Sequence, residues 1–267
     1  MPHPRIIVVF FDKIFLDVRL ILYIYPKSIP MAGHSKWANI KHRKGAQDAK
    51  RAKVFSRMSK NIILAAQSGG ADIETNYALK VAVDAARKVN MPKDNIDRAI
   101  KSAVGGDGAA RLEEVLYEAM GPEGSAFIIT CATDNTNRSL TDVKTALKKN
   151  GGKFVPSGSV SFNFSHVGLI IIEPSDHEVA ELDAIDAGAS DVKSEESVLI
   201  ITTEVTDFHT AQTALTDKGY EIQESLLSYE PTQTVELSEE ARRAYETLYE
   251  ILDDIDDVQD IFTNVQN

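Results

Sequence analysis

The chain has 267 residues, 43 % of them hydrophobic, with 29 Lys/Arg against 40 Asp/Glu and a net charge of −11. That length holds two or three domains with cores of their own, and the apolar share is that of a globular chain, not a disordered one. A single cysteine, Cys131, excludes an intrachain disulfide and a cysteine-rich zinc site, and its apolar neighbours mark it as a core residue.

Residues 6–25 are apolar but broken by Asp12, Lys13, Asp17 and Arg19. A bilayer span needs about 20 residues almost free of charge, so this run does not qualify, and it lacks the cleavage pattern of a signal peptide. Met31 opens a sequence of different character, so residues 1–30 are expected to be an extension outside the fold.

Residues 31–60 carry nine cations, Lys36, Lys41, Arg43, Lys44, Lys50, Arg51, Lys53, Arg57 and Lys60, against one acid, Asp48. The imbalance extends along the chain: residues 31–105 hold 15 basic and 6 acidic side chains, a net of +9, and residues 106–267 hold 10 and 32, a net of −22. A dense positive block in an acidic protein points to a polyanionic partner, and phosphate backbones are the usual one. His34 and His42 flank Trp37, the one tryptophan. Trp37 has two readings, a plug in a small helical core or a platform on which an unpaired base stacks.

Apolar residues Ala52, Phe55, Met58, Ile62 and Ala66 recur at three- and four-residue steps, which predicts a helix over residues 46–67. Further helices are expected over 72–89 and, after Asn90-Met91-Pro92, over 92–103. The glycines at 105, 106 and 108 then mark a boundary. Strands are expected at 126–132, 159–164, 168–172, 197–203, 220–229, 234–237 and 258–263, and helices at 134–150, 175–187, 207–218 and 238–252. That order folds into two β-α-β-β-α-β units, the second inserted in the first. The expected fold is α+β: a helical N-terminal bundle over 31–107, a discontinuous ferredoxin-like domain over 108–166 and 231–267, and an inserted ferredoxin-like domain over 167–230.

No phosphate-binding glycine motif with a lysine, no dinucleotide fingerprint and no histidine pair at metal spacing occurs. The expectation is a protein that is not an enzyme and needs no cofactor and no metal. Gly105-Gly106-Asp107-Gly108 reads as a hinge. The run Asp253, Asp254, Asp256, Asp257 and Asp260 reads as a solvated acidic surface. Asp134-Asn135-Thr136-Asn137-Arg138 reads first as a helix cap; the same amides with Arg138 also offer an anion site at Asn135 and Arg138.

Residues 31–51, Met-Ala-Gly-His-Ser-Lys-Trp-Ala-Asn-Ile-Lys-His-Arg-Lys-Gly-Ala-Gln-Asp-Ala-Lys-Arg, closely resemble the opening of the YebC family. Asn90-Met91-Pro92-Lys93-Asp94-Asn95-Ile96, Tyr117-Glu118-Ala119-Met120-Gly121-Pro122, Thr133-Asp134-Asn135-Thr136-Asn137-Arg138 and Asp256-Asp257-Val258-Gln259 extend the likeness to nearly the whole chain after Met31. The family includes bacterial transcriptional regulators and the mitochondrial translational activator of cytochrome oxidase subunit one. The resemblance implies a three-domain, cytoplasmic, DNA-binding regulator of transcription. Other members point to an alternative, a ribosome-associated factor that binds ribosomal RNA and relieves stalled synthesis. In either case Lys36, Trp37, Lys41, His42, Arg43, Lys44, Lys50, Arg51, Lys53, Arg57 and Lys60 form the expected nucleic-acid surface, and neither a membrane nor a small-molecule substrate is expected as partner.

Overall fold

The computed structural model describes residues 49–105, 111–195 and 197–266. Residues 1–30, Lys36, Trp37, Lys41, His42, Arg43, Lys44, the side chain of Lys50 and the glycines at 106 and 108 lie outside that description.

Three helices form the first unit: α1 (Ala49–Gly69), α2 (Tyr77–Lys88) and α3 (Lys93–Val104). The expected stripe faces inward, with Ile62 and Ala66 buried beside Leu79, Val83, Ala86, Met91, Ile96 and Ala99, and with Phe55 and Met58 packed at the edge. Asn76 joins α1 to α2. Its side-chain oxygen accepts the Leu79 N–H at 3.1 Å as an N-cap, and its amide nitrogen donates to the carbonyls of Ala65 and Gly70 at 2.8 and 2.7 Å. One buried amide thus satisfies a start and a finish that would otherwise leave polar backbone unpaired.

Two four-stranded antiparallel sheets follow. The first has the order β3-β1-β2-β8, from β1 (Glu113–Met120), β2 (Ala126–Thr133), β3 (Lys153–Val155) and β8 (Val258–Thr263). One face is covered by α4 (Thr136–Lys149) and α7 (Glu239–Asp253), which bury Val143, Leu147, Tyr245, Leu248 and Leu252 on Phe127, Ile129 and Cys131. The second sheet has the order β5-β6-β4-β7, from β4 (Phe164–Ile172), β5 (Asp191–Glu195), β6 (Val198–Glu204) and β7 (Ile222–Pro231). It carries α5 (His177–Asp186) and α6 (Phe208–Asp217) on Ile170, Ile172, Leu199 and Ile201. Ala126, Ile128, Val155, Val160 and Phe164, with Tyr229 and Phe262, join the two sheets in a small core of their own.

Several expected elements need correction. The first sheet opens with a hairpin, β1 to β2, which the sequence pattern did not show. Three glutamates interrupt β1, yet Glu118 is only 2 % exposed: its carboxylate accepts N–H bonds from Gly158 and Val160 at 2.7 Å and from Ser161 at 3.2 Å. Burial would raise its pKa, and these donors outweigh that effect and hold it below the usual carboxylate range. Residues 159–163 are not a strand; Ser161–Asn163 is a 3-10 turn in the loop that Glu118 organises, and β4 begins at Phe164. The strand expected at 234–237 is a single bridge between Val235 and Val265. The strand β5, with its charged residues, was absent from the expected order and completes the second sheet.

Gly168 shows how tightly the second sheet meets its helix. A Cβ there would run into the Phe208 ring and the Thr203 hydroxyl. Gly168→Ala is expected to lower stability by about 1–3 kcal/mol through overpacking, read as a lower urea midpoint with an unchanged slope.

Candidate nucleic-acid interface

Lys53, Arg57 and Lys60 are four and three residues apart, so they project from one side of α1. That side is turned toward the C-terminal end of α7 and the turn leading into β8. Lys53 Nζ lies 3.0 Å from Asp253 Oδ2 and 3.0 Å from Asp254 Oδ1. Arg57 Nη2 reaches Asp253 Oδ1 at 2.8 Å and donates to the Asp253 carbonyl at 2.9 Å, while its Nε donates to the Val258 carbonyl at 3.1 Å. Lys60 Nζ meets Asp257 Oδ1 at 2.8 Å and the carbonyls of Ala132 and Asp256 at 2.9 Å each. The other Asp257 oxygen accepts from Arg138 Nη2 and Thr133 Oγ1, both at 2.9 Å.

The arrangement follows from helix electrostatics. Helix α7 has no basic residue in its last turn and ends on acids, where the helix dipole favours cations. Helix α1 supplies those cations from another part of the chain. The pairs are partly shielded: the side chains of Arg57, Lys60 and Asp257 are 12 %, 17 % and 8 % exposed. Burial works to raise the Asp253 carboxyl, but the Arg57 and Lys53 charges and bonds hold it below its ordinary value. Burial does the same at Asp257, where Lys60, Arg138 and Thr133 outweigh it. The run Asp253 to Asp260 is therefore not simply a solvated surface. Asp253 and Asp257 are counter-ions of α1, while Asp254 and Asp256 remain exposed.

The helical unit also touches the second sheet. The Tyr77 ring lies on His209 with centroids 3.8 Å apart, its hydroxyl meets Gln212, and Lys88 Nζ donates to the carbonyls of Ile222 and Gln223 at 2.6 and 2.9 Å. Sequence reasoning missed these contacts and the counter-ion role of Asp253 and Asp257. The available signal was the cation stripe Lys53, Arg57 and Lys60 on one side of a helix together with the acid run from Asp253 to Asp257 at and beyond the end of another.

Arg51 is exposed and lies 5.8 Å from the centre of the Phe55 ring, with no ion pair among the described residues. Asn135 caps α4 by accepting the Arg138 N–H at 3.0 Å. The Arg138 guanidinium is held by Asp134 at 2.7 Å as well as by Asp257, so an incoming anion would compete with two carboxylates. Cys131 is fully buried, and burial pushes its thiol up to about 11, which keeps it in the unreactive protonated form at neutral pH. The described residues contain no group of three acidic, histidine or cysteine side chains placed to hold a metal, and no helix among them is long and apolar enough to cross a membrane.

Two family models match the chain: the TACO1/YebC protein N-terminal domain over residues 35–106 and the TACO1/YebC second and third domain over residues 112–265. A probable transcriptional regulatory protein, YrbC, of Bacillus subtilis is 43 % identical over 241 residues, which are 89 % of this chain and all of the relative. A probable transcriptional regulatory protein of Finegoldia magna is 43 % identical over 240 residues, again covering the whole relative. The crystal structure of a conserved hypothetical protein from Aquifex aeolicus is similar with a TM-score of 0.78 at 36 % identity, covering 86 % of this chain and 96 % of that one.

Asp257→Asn removes the charge that faces Lys60 and Arg138. A loss of about 2–3 kcal/mol is expected, between the small worth of an exposed pair and the larger penalty for stranding a buried charge. Faster amide hydrogen exchange confined to α1 would report it. Acid has the same effect with a defined sign. Asp253 and Asp257 have folded-state pKa values below their ordinary ones, so their contribution is complete above about pH 4 and is lost as pH falls through the depressed values. Protection of the α1 amides, relative to their intrinsic exchange rates, is expected to fall over that interval ahead of protection in β2, and a common midpoint for the two would contradict it.

Proposed function

Since this chain belongs to the TACO1/YebC family, we propose that it is a nucleic-acid-binding regulator of gene expression that works without catalysis and without a cofactor. The observation that carries the reading is the separation of charge, +9 over residues 31–105 and −22 over residues 106–267. Positive charge gathered at one end drives association with phosphates by releasing their counterions, and the acidic remainder limits how much of the molecule the polyanion touches. The names of the bacterial relatives favour DNA and transcription, and with them a cytoplasmic location.

The interface geometry narrows which cations serve. Lys53, Arg57 and Lys60 already hold carboxylates, so phosphate binding by them requires displacing Asp253 and Asp257. Lys36, Lys41, Arg43, Lys44, Lys50 and Arg51, with Trp37 and His42, are the residues to which we assign the contact. One specific observation supports the alternative of a ribosome-associated factor. A DNA reader of the helix-in-groove kind needs a recognition helix with a free basic face. The basic face of α1 is turned onto the protein itself, which suits backbone and shape recognition of folded RNA better. Within the fold, the order β5-β6-β4-β7 supports the ferredoxin-like reading of the inserted unit, with boundaries near residues 167 and 230; the hairpin that opens the first sheet departs from that pattern.

Reversing Lys41, Arg43 and Lys44 to Glu is expected to abolish binding to a mixed duplex and single-stranded RNA probe set while leaving the melting profile unchanged. If about five cations contact phosphates, log K falls against log salt with a slope of about −4 to −5 in the unaltered protein. Unchanged binding by the triple variant would remove the basic block from the reading. Crosslinking in cells followed by sequencing separates the two targets: ribosomal RNA as the main product excludes the transcriptional reading, and promoter DNA excludes the ribosomal one.

A further inference from the structure

Helix α5 is apolar on two sides. Ala180 and Ala184 are fully buried against the second sheet, as amphipathic packing requires. On the outward side Val179, Leu182 and Ile185 are 51 %, 65 % and 54 % exposed. They are three residues apart, one turn above the next, so they form one patch rather than scattered contacts with water. Three of the nine large exposed hydrophobic residues among those described fall on this ten-residue helix, a concentration that marks the face as more than chance exposure.

The surroundings of the patch are acidic. Glu178 and Asp186 stand on the same side of the helix near its two ends, and Glu181 stands along the flank; all three are exposed and have no ion pair among the described residues. Asp183 is taken by Lys218 and Tyr220. Residues 173–196 hold nine acids and one lysine, Lys193, which pairs with Asp191 at 3.2 Å. The helix packs over β5 and β6, on the half of the second sheet away from β7, the strand that receives Lys88 of the helical unit.

We propose that the outward face of α5 is a docking surface for a basic amphipathic helix of a protein partner. The apolar patch supplies the contact that water does not satisfy, and the unpaired carboxylates around it select lysine and arginine on the incoming helix. The same carboxylates reject other occupants. Two copies of the face brought together would oppose like charges, and nucleic acid or an anionic membrane would be repelled. This surface does not depend on the nucleic-acid reading, because it lies on a different unit and has the opposite charge.

The test uses the full chain and a fluorescent 18-residue helical peptide with a leucine stripe flanked by lysines, with a partner peptide in which every lysine is glutamate. Anisotropy titration is expected to show saturable binding of the lysine peptide, weakening as salt rises from roughly 50 to 300 mM, and none of the glutamate peptide. Val179→Ser, Leu182→Ser and Ile185→Ser together are expected to weaken binding by about tenfold or more, and Glu178→Gln, Glu181→Gln and Asp186→Gln together to weaken it and flatten its salt dependence. All six side chains are solvent-facing, so circular dichroism and melting of both variants should match the parent. Binding that survives the serine substitutions would reduce the effect to diffuse charge attraction and overturn the proposal. So would equal binding of the two peptides, absence of binding at about 1 mM peptide, or a dimer that the serine variant dissolves.

Discussion

The ion pairs between α1 and the end of α7 attach the helical unit to the first sheet. A helix ending in acids is unfavourable on its own, because its dipole and its unpaired carbonyls call for cations there. A helix carrying Lys53, Arg57 and Lys60 on one side is unfavourable in the complementary sense. Each solves the problem of the other, and the Ala132, Asp253, Asp256 and Val258 carbonyls take up the remaining donors. Because the groups are partly shielded from water, breaking one pair strands a charge, whereas an exposed pair could be lost with little effect. The attachment of the helical unit is therefore polar and directional. It contrasts with the apolar joint of Phe164, Tyr229 and Phe262 between the two sheets.

This attachment changes how the charge of the molecule is to be understood. A basic block of nine residues looks uniform along the chain, but its members divide once the chain is folded. Those on the inner side of α1 neutralise the molecule's own acids, and Arg51 at the exposed start of the helix has no ion pair among the described residues. The charge that α1 carries is thus partly spent within the molecule, at Lys53, Arg57 and Lys60. The second sheet carries the other extreme, an acidic helix with an apolar outward face.

Elements with a single clear period were legible in the chain. The stripe of α1, the continuous apolar run of β2 and the capped start of α7 at Ser238 all follow from local patterns, and β8 lies at residues 258–263 as expected. Elements whose polar residues are satisfied from a distance were not. In β1 the glutamates broke the hydrophobic alternation, and only the loop at Gly158 to Ser161 makes a buried Glu118 tolerable. In β5 the residues are charged because the strand lies at the sheet edge, where solvent takes up one side. The candidate interface was legible as a composition and not as a geometry: the cations stood out, while their carboxylate partners lay about two hundred residues away.

The sequence by itself determined the helical start, the α+β remainder, the family and the two-signed charge, because each of these is written in local periodicity, motif or composition. Only the tertiary structure decided which charges are paired. Pairing depends on distance in space and on desolvation, and neither is encoded in the order of residues until the chain closes. For that reason Lys53, Arg57 and Lys60 changed meaning on folding, Asp253 and Asp257 became counter-ions, and Val179, Leu182 and Ile185 stood out as an exposed apolar face.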